Sequence, residues 1–427
     1  MIYLDYNATT PLCDPAREAM LPYLDRHFGN PSSVHTAGRE ARAAIDNARD
    51  TLAALLRVKP HEIIFTGGGT ESCNLAVLGL GRASAKLNGL KPSSLTSHRH
   101  IISNKAEHHA VLNAIEHLEK YEGFEVTWLN VSDNGIVDLD QLAESIRPET
   151  RLVSIMTANN ETGVIQPMRE ISQICREKGV LLHSDMVQSF GKIPLVIPRE
   201  VEESRDETSS ATPPDPSTLL RSAQDDADLL SLVDAASFAA HKFYGPKGAG
   251  FLFLRSGLSI QPIMFGGAHE NERRPGTENV AAIAGMAAAA EWTLRNREQE
   301  QQREAKLRDE LWTRIARSVP EARQNGMNAP RLANTLNLSL LGLDSETLLI
   351  ALDLEGVCAS SGSACMVGSV VASHVLLAMG LPIERARSAV RFSLGKWTTA
   401  DEIEAIGDAA RKIVERLQTR KSAYAVA

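Results

Sequence analysis

The strongest constraint in this sequence is an alternation. HEIIFTGGGT runs a short β-branched strand into glycines, and ESCNLAVLGL after it has the spacing of a helix. RHIISNKAEHHAVLNAIEHLEKY repeats the scheme as strand, turn and amphipathic helix. RLVSIMTANNETG and GVLLHSDMVQS are apolar strands ending in polar residues, and GAGFLFLR is a further strand. Strands alternating with helices predict an α/β fold, with a mostly parallel central sheet and helices on both faces. In such sheets ligands sit beyond the carboxyl ends of the strands. The polar clusters GGGT, AEHH, NNETG, DMVQ and HK fall at those ends, so a site is expected there.

Past about Ile260 the pattern changes. AAIAGMAAAAEWTLRNREQEQQREAKLRDELWTRIA reads as one long helix, strands follow in TLNLSLLGL and AVRFSLG, and the chain closes on a charged amphipathic helix. This predicts a second, smaller α+β domain, in keeping with 427 residues against roughly 100–200 per domain. The division expected is 13–261 for the large domain and 1–12 with 262–427 for the small one. One stretch fits neither pattern. IPREVEESRDETSSATPPDPSTLLRSAQDDADLL is rich in Ser, Thr, Pro and acids and predicts a solvated, poorly ordered surface insertion at about 199–228. Nine acidic and three basic side chains between Arg199 and Asp228 account for most of the net charge of −8. The remainder carries no basic footprint for nucleic acid.

No run of about 18 uncharged apolar residues is present, so no membrane span is expected. MIYLDYNATTPL lacks the basic and apolar regions of a signal peptide. The five cysteines (Cys13, Cys73, Cys175, Cys358, Cys365) form no CxxC pair and no zinc spacing. That argues against a disulfide framework or a metal site and fits a reducing cytoplasm. Four of them read as small buried apolar residues. Cys365, in SSGSACMVGS, sits among small residues that leave a thiol mobile and exposed. Composition alone leaves it evenly balanced between packing residue and nucleophile.

Three features elsewhere bear on that thiol. In SFAAHKFYGPKGAGFLFL, Lys242 lies between apolar runs, where desolvation would lower its pKa as a Schiff-base lysine requires. Lys247 in the following turn is the competing candidate and reads as more exposed. Asp185 ends the apolar strand of LLHSDMVQS, where a buried carboxylate needs a cationic partner. A protonated pyridine nitrogen would serve, as in pyridoxal phosphate sites; a helix cap is the equal alternative for Asp185 alone. FTGGGTES offers backbone N–H groups and the Thr70 hydroxyl at a helix N-terminus, a phosphate site or a plain tight turn. Taken together, the cradle, the acid and the lysine describe one cofactor.

The sequence resembles the cysteine desulfurases, pyridoxal-phosphate-dependent enzymes of the class V aminotransferase superfamily. YLDYNATTP, GNPSSVHTAGR, FTGGGTESCN, EHHAVLN, NNETGVIQP, HSDMVQSFGKIP, HKFYGPKGAG, GGAHENERRPGTENV, SSGSAC and VRFSLG match in the family's order, from the first residues to about residue 400. The form of SSGSAC is similar to the branch that feeds iron–sulfur cluster assembly. The resemblance implies a fold-type-I transferase that converts L-cysteine to L-alanine, takes the sulfur onto Cys365 as a persulfide and passes it to an acceptor protein. It implies that Lys242 holds the cofactor, Asp185 faces the pyridine nitrogen, Gln188 and Asn160 contact the ring oxygen, and His108 stacks on the ring and shuttles protons. His109 is the spare histidine, expected on the helix surface. Gly69, Thr70 and His241 match phosphate contacts, Thr277 matches one supplied by the other subunit of a homodimer, and Arg391 matches the fork on the substrate carboxylate.

The sequence departs from the family at three places. Where the family carries a phosphate-binding serine three residues before the lysine, this chain has Ala239, with Ser237 as the candidate to compensate. Met366 and Val367 follow the cysteine in place of small polar residues, and the acidic insertion precedes the lysine motif. A selenocysteine lyase, another class V enzyme and a non-catalytic paralogue are the alternatives.

Overall fold

The computed structural model describes residues 1–83, 99–194, 196–197, 227–362 and 372–425. The first part runs β1 (Ile2–Tyr3), α1 (Asp14–Asp25), α2 (Thr36–Leu56), β2 (Ile63–Thr66), α3 (Gly69–Arg82), β3 (His100–Asn104), α4 (His109–Glu122), β4 (Glu125–Leu129), α5 (Leu139–Ser145), β5 (Thr150–Ser154), α6 (Met168–Lys178) and β6 (Leu181–Asp185). There follow β7 (Val196–Ile197), β8 (Ala227–Asp228), β9 (Ala235–Ala239), β10 (Gly250–Leu254) and α7 (Val280–Ser318). The remainder is β11 (Ala322–Gln324), β12 (Thr335–Leu340), α8 (Ser345–Leu354), β13 (Val357–Cys358), α9 (His374–Ala378), α10 (Ile383–Arg387), β14 (Ala389–Ser393) and α11 (Ala400–Ala425).

Seven strands form the central sheet in the order β2-β10-β9-β6-β5-β3-β4. Every neighbouring pair is parallel except those of β10, which runs antiparallel to both β2 and β9. All but the edge strand β4 are buried on both faces, and their side chains alternate between two cores. Ile63, Phe65, Ile102, Val153, Leu182, Phe238 and Phe251 join the cluster under α2, α6 and the start of α7. Their neighbours Ile64, Ile101, Leu152, Leu181 and Leu252 join the cluster under α3 and α4. A continuous apolar run is therefore what these positions require.

The second part packs the antiparallel sheet β11-β12-β14 against α8, α11 and the far half of α7. At 39 residues, α7 is about 58 Å long. Ala282, Met286 and Ala290 near its start lie in the first core, while Leu307, Leu311 and Ile315 lie in that of the small sheet. The N-terminus also belongs to this side of the molecule: β1 pairs with β13, and Asp5 bridges Ser393 of β14. The acidic insertion falls mainly on 198–226, outside the described residues. The two short strands at its base, β7 and β8, pair with each other. No helix among the described residues is long and apolar enough to cross a membrane.

Candidate active site

Five parallel strands deliver polar residues to one place. A cavity of about 330 Å³ is lined by Gly69 and Thr70 after β2, His108 after β3, Asn160 after β5, Asp185 and Gln188 at the end of β6, His241 and Lys242 after β9, and Arg391 of β14. That volume is at the small end of the range for small-molecule pockets. Nine of the eleven residues expected from sequence thus meet in one wall. Thr277 lies elsewhere on this chain and is exposed. Cys365, Met366 and Val367 lie outside the described residues; Gly362, the last described residue before them, lines the cavity.

Lys242 follows β9 in a single helical turn, and its Nζ donates to the carbonyls of Asn7 and Ala8 at 2.6 and 2.8 Å. Lys247 is exposed and opens onto an adjoining cleft that shares Gly69, Thr70 and His241 with the cavity. Asp185 is 6% exposed, accepts the Val187 N–H on Oδ1 at 2.9 Å and lies 3.5 Å from the Cys73 thiol on Oδ2. Cys73 therefore does more than fill space: its sulfur touches the site's only acid among the described lining residues. Burial, with Asp185 beside it, raises the Cys73 pKa well above the usual thiol range and keeps it protonated. Cys13 and Cys175 are buried free thiols, and Cys358 is half-buried.

Gly68 ends the β2 turn at φ +147°, a conformation that favours glycine, and Gly69 starts α3 with no side-chain cap. A Cβ on Gly69 would stand 2.9 Å from Val187 Cγ2 and 3.2 Å from the Ala239 methyl, so only glycine brings the helix start this close. The first N–H groups of α3 are left to the cavity, as at an anion site. His241 Nδ1 lies 3.2 Å from the Thr9 hydroxyl, and burial, then Lys242 and Lys247, push its pKa down to about 4.

His108 caps α4, its Nδ1 accepting the Ala110 N–H at 3.1 Å. The neutral ring then carries its proton on Nε2. Burial lowers its pKa; Asp185 opposes the shift, while Lys242, His109 and His374 add to it. His109 is not simply on the surface: it is half-buried, with its ring 4.4 Å from that of His374. His374 follows Ser373, whose hydroxyl donates to the buried Glu161 of the NNETG turn. A Cβ on Gly362, at φ +86°, would stand 2.8 Å from the same carboxylate. Glu161 thus lies against Gly362, just before 363–371, and Ser373, shortly after it.

Arg391 reaches the cavity from the small sheet. It is 3% exposed, with Nη2 on Asp5 at 2.7 Å and Nη1 on the Asn160 carbonyl at 2.8 Å. Its Nε is buried without a hydrogen-bond partner among the described residues. Ser237 does not stand in for the serine missing at 239. It is fully buried one pleat below the cavity, and its hydroxyl is held by His183 Nε2 at 3.0 Å. Asn7 and Ala8, which no local pattern marks, also line the cavity.

A model of the class V aminotransferases matches residues 2–199 and 227–406. The cysteine desulfurase IscS of Dictyoglomus turgidum is 42% identical over 98% of this chain and 95% of its own. The chain belongs to the cysteine desulfurases of the class V aminotransferase family. A cysteine desulfurase of a Nostoc species is 40% identical over 98% and 94% of the two chains. Among solved structures, a NifS-like protein superposes with a TM-score of 0.80 at 33% identity, covering 98% and 99% of the two chains. SspA in complex with cysteine superposes with a TM-score of 0.73 at 30% identity, covering 93% and 100%. The family match leaves 200–226 unmatched, inside the acidic segment.

Proposed function

We propose that this desulfurase uses pyridoxal 5'-phosphate, held on Lys242, to convert L-cysteine to L-alanine and to take the sulfur onto Cys365 as a persulfide. The carrying observation is the convergence of Lys242, Asp185, His108 and Arg391 on one small cavity beside an uncapped helix start. The residues fit that cofactor: uncapped N–H groups suit a phosphate, a buried carboxylate suits a pyridinium, and the orphaned Arg391 Nε suits a substrate carboxylate. When bound, the cofactor supplies the electron sink for the substrate's α-carbon.

In this reading the chain's own groups do the following. Gly69, Thr70 and His241 bind the phosphate, and Thr277 of a second copy completes that cradle. Asp185 holds positive charge on the ring nitrogen, and Gln188 and Asn160 contact the ring oxygen. Arg391 orients the substrate carboxylate against Asp5 and Asn160. Lys242 would hold the cofactor and, as a free amine, would take the substrate's α-proton, and His108 would hold a proton at Nε2 on the cavity side. The Cys365 thiolate attacks the substrate sulfur. An S–S bond forms, the C–S bond breaks with its electron pair left on the carbon side, and protonation there gives L-alanine. The persulfide then passes its outer sulfur to an acceptor protein of the iron–sulfur assembly type, in the cytoplasm.

Alanine and sulfide release from L-cysteine with a reductant tests the assignment. Wild type is expected to turn over, Lys242→Ala to be inactive, and Cys365→Ala to bind L-cysteine without releasing sulfide. Equal sulfide release from wild type and Cys365→Ala would remove the thiol from the reaction.

A further inference from the structure

A second lysine is wired to the first. Lys192, in the turn after β6, points its ammonium inward and donates to Asn7 Oδ1 at 2.9 Å and Gln188 Oε1 at 2.8 Å. Gln188 Nε2 in turn donates to the Asn7 carbonyl at 2.8 Å, the same oxygen that accepts Lys242 Nζ. Lys192, Gln188 and Asn7 close a ring, with Lys242 joined to it at Asn7. Asn7 and Gln188 are 1% and 4% exposed, so no bulk water competes for these groups.

The chemistry of the partners makes this ring directional. The two ends of a carboxamide are nearly equal in shape and differ in what they bind. Lysine offers only donors when charged. Its contact therefore commits the oxygen of Gln188 to Lys192, and the NH₂ end, which gives one N–H to the Asn7 carbonyl, keeps its second N–H for the cavity that Gln188 lines. Burial, with Lys242 and Arg391 beside it, lowers the Lys192 pKa, against the attraction of Glu304 on α7. A neutral amine still carries two N–H bonds for the two oxygens, so the ring does not depend on the charge.

We propose that Lys192 is a positioning residue that fixes the donor end of Gln188 toward the cavity and steadies Asn7, the seat of Lys242. The proposal deepens the proposed function, since it takes Gln188 and Lys242 as cofactor contacts. An NH₂ group aimed at the ring oxygen favours the more anionic form of the bound cofactor; a carboxamide free to flip would lose that preference.

The test is a double-mutant cycle with Lys192→Met and Gln188→Leu. In cofactor-free protein, the losses in melting temperature are expected to be less than additive, because both changes break the same ring. In protein loaded with pyridoxal phosphate, Lys192→Met is expected to raise the pH midpoint of the visible absorption band by about one unit. The same change in a Gln188→Leu background is expected to move it little. Additive melting losses overturn the proposal. So does a midpoint shift that persists undiminished in the Gln188→Leu background, because that would be through-space charge alone. A wild type with no visible band would instead overturn the cofactor reading, and the melting cycle would still decide the ring.

Discussion

Arg391→Lys gives the sharpest test of the substrate end of the site. The arginine is 3% exposed and is held by Asp5 at 2.7 Å and the Asn160 carbonyl at 2.8 Å, with Nε unpaired among the described residues. Its plane is therefore fixed before any substrate arrives, which is what a fork for a carboxylate needs. Lysine keeps the charge but has one nitrogen, and it cannot hold Asp5, Asn160 and a carboxylate in one plane. A charge-assisted hydrogen bond contributes about 1.5–3 kcal/mol. Losing one of them costs about 1.5–3 kcal/mol, or roughly 10- to 150-fold in kcat/KM for L-cysteine. The loss should fall mainly on KM, because the carboxylate is bound alike in ground and transition states. Steady-state alanine release checks this, with a thermal melt to show that the variant is folded. Binding of cysteamine, which has no carboxylate, should change little. If L-cysteine kcat/KM stays within about threefold of wild type, or if cysteamine suffers equally, Arg391 does not read the carboxylate.

Three further outcomes follow from the same geometry. Ala239→Ser puts a hydroxyl into the cavity wall beside the start of α3; cofactor dissociation measured by dialysis should slow by about tenfold, one charge-assisted bond's worth. Gly362→Ala combines φ +86° with a Cβ 2.8 Å from the Glu161 carboxyl, so sulfide release should fall while cofactor absorbance is kept, and an unchanged rate would show that this seat is unimportant. His183 is fully buried between the hydroxyls of Ser154 and Ser237, and burial pushes its pKa down to about 3. Its folded pKa is below the unfolded one, so its contribution is present above about pH 6.5 and is lost as pH falls toward 3, by about 1.4 kcal/mol per pH unit. Urea titrations at pH 6, 5 and 4 should show a shallower decline in His183→Gln than in wild type.

Much of this was legible because parallel sheets deliver their strand ends to one side. GGGT, EHH, NNETG, DMVQ and HK each stand at such an end, and the cavity gathers a residue from every one of them. What stayed hidden depends on depth and on contacts far apart in sequence. Alternation along β9 puts Ser237 and Ala239 on one face, but two residues decide whether a hydroxyl meets the cavity or His183. Asn7 meets Lys242 across a separation of 235 residues, in a stretch with no periodicity of its own. Nothing local in SFGKIP marks Lys192 as turned inward, since most lysines are solvated. Cys73 carried a weak signal: it sits on the buried face of α3 with Ser72, Leu75 and Ala76, next to the glycine turn. The division of the chain at about residue 262 blurs for a physical reason as well, because α7 runs unbroken from one core into the other.

The short ladder of β7 and β8 has a consequence for how such a chain can change over time. Val196 pairs with Asp228 and Ile197 with Ala227, and buried Leu229 and Leu230 follow at once. β7 is thereby held on β8, which leads straight into the first core through Leu229 and Leu230. Loop closure becomes only about 0.6 kcal/mol more costly each time a loop doubles in length. A base of this kind works as a port: sequence can be spliced in, lengthened or cut out there while the lysine turn fourteen residues downstream of Asp228 keeps its place. It is where a lineage can try out a new appendage, and where an experimenter can graft a reporter, without reopening the site itself.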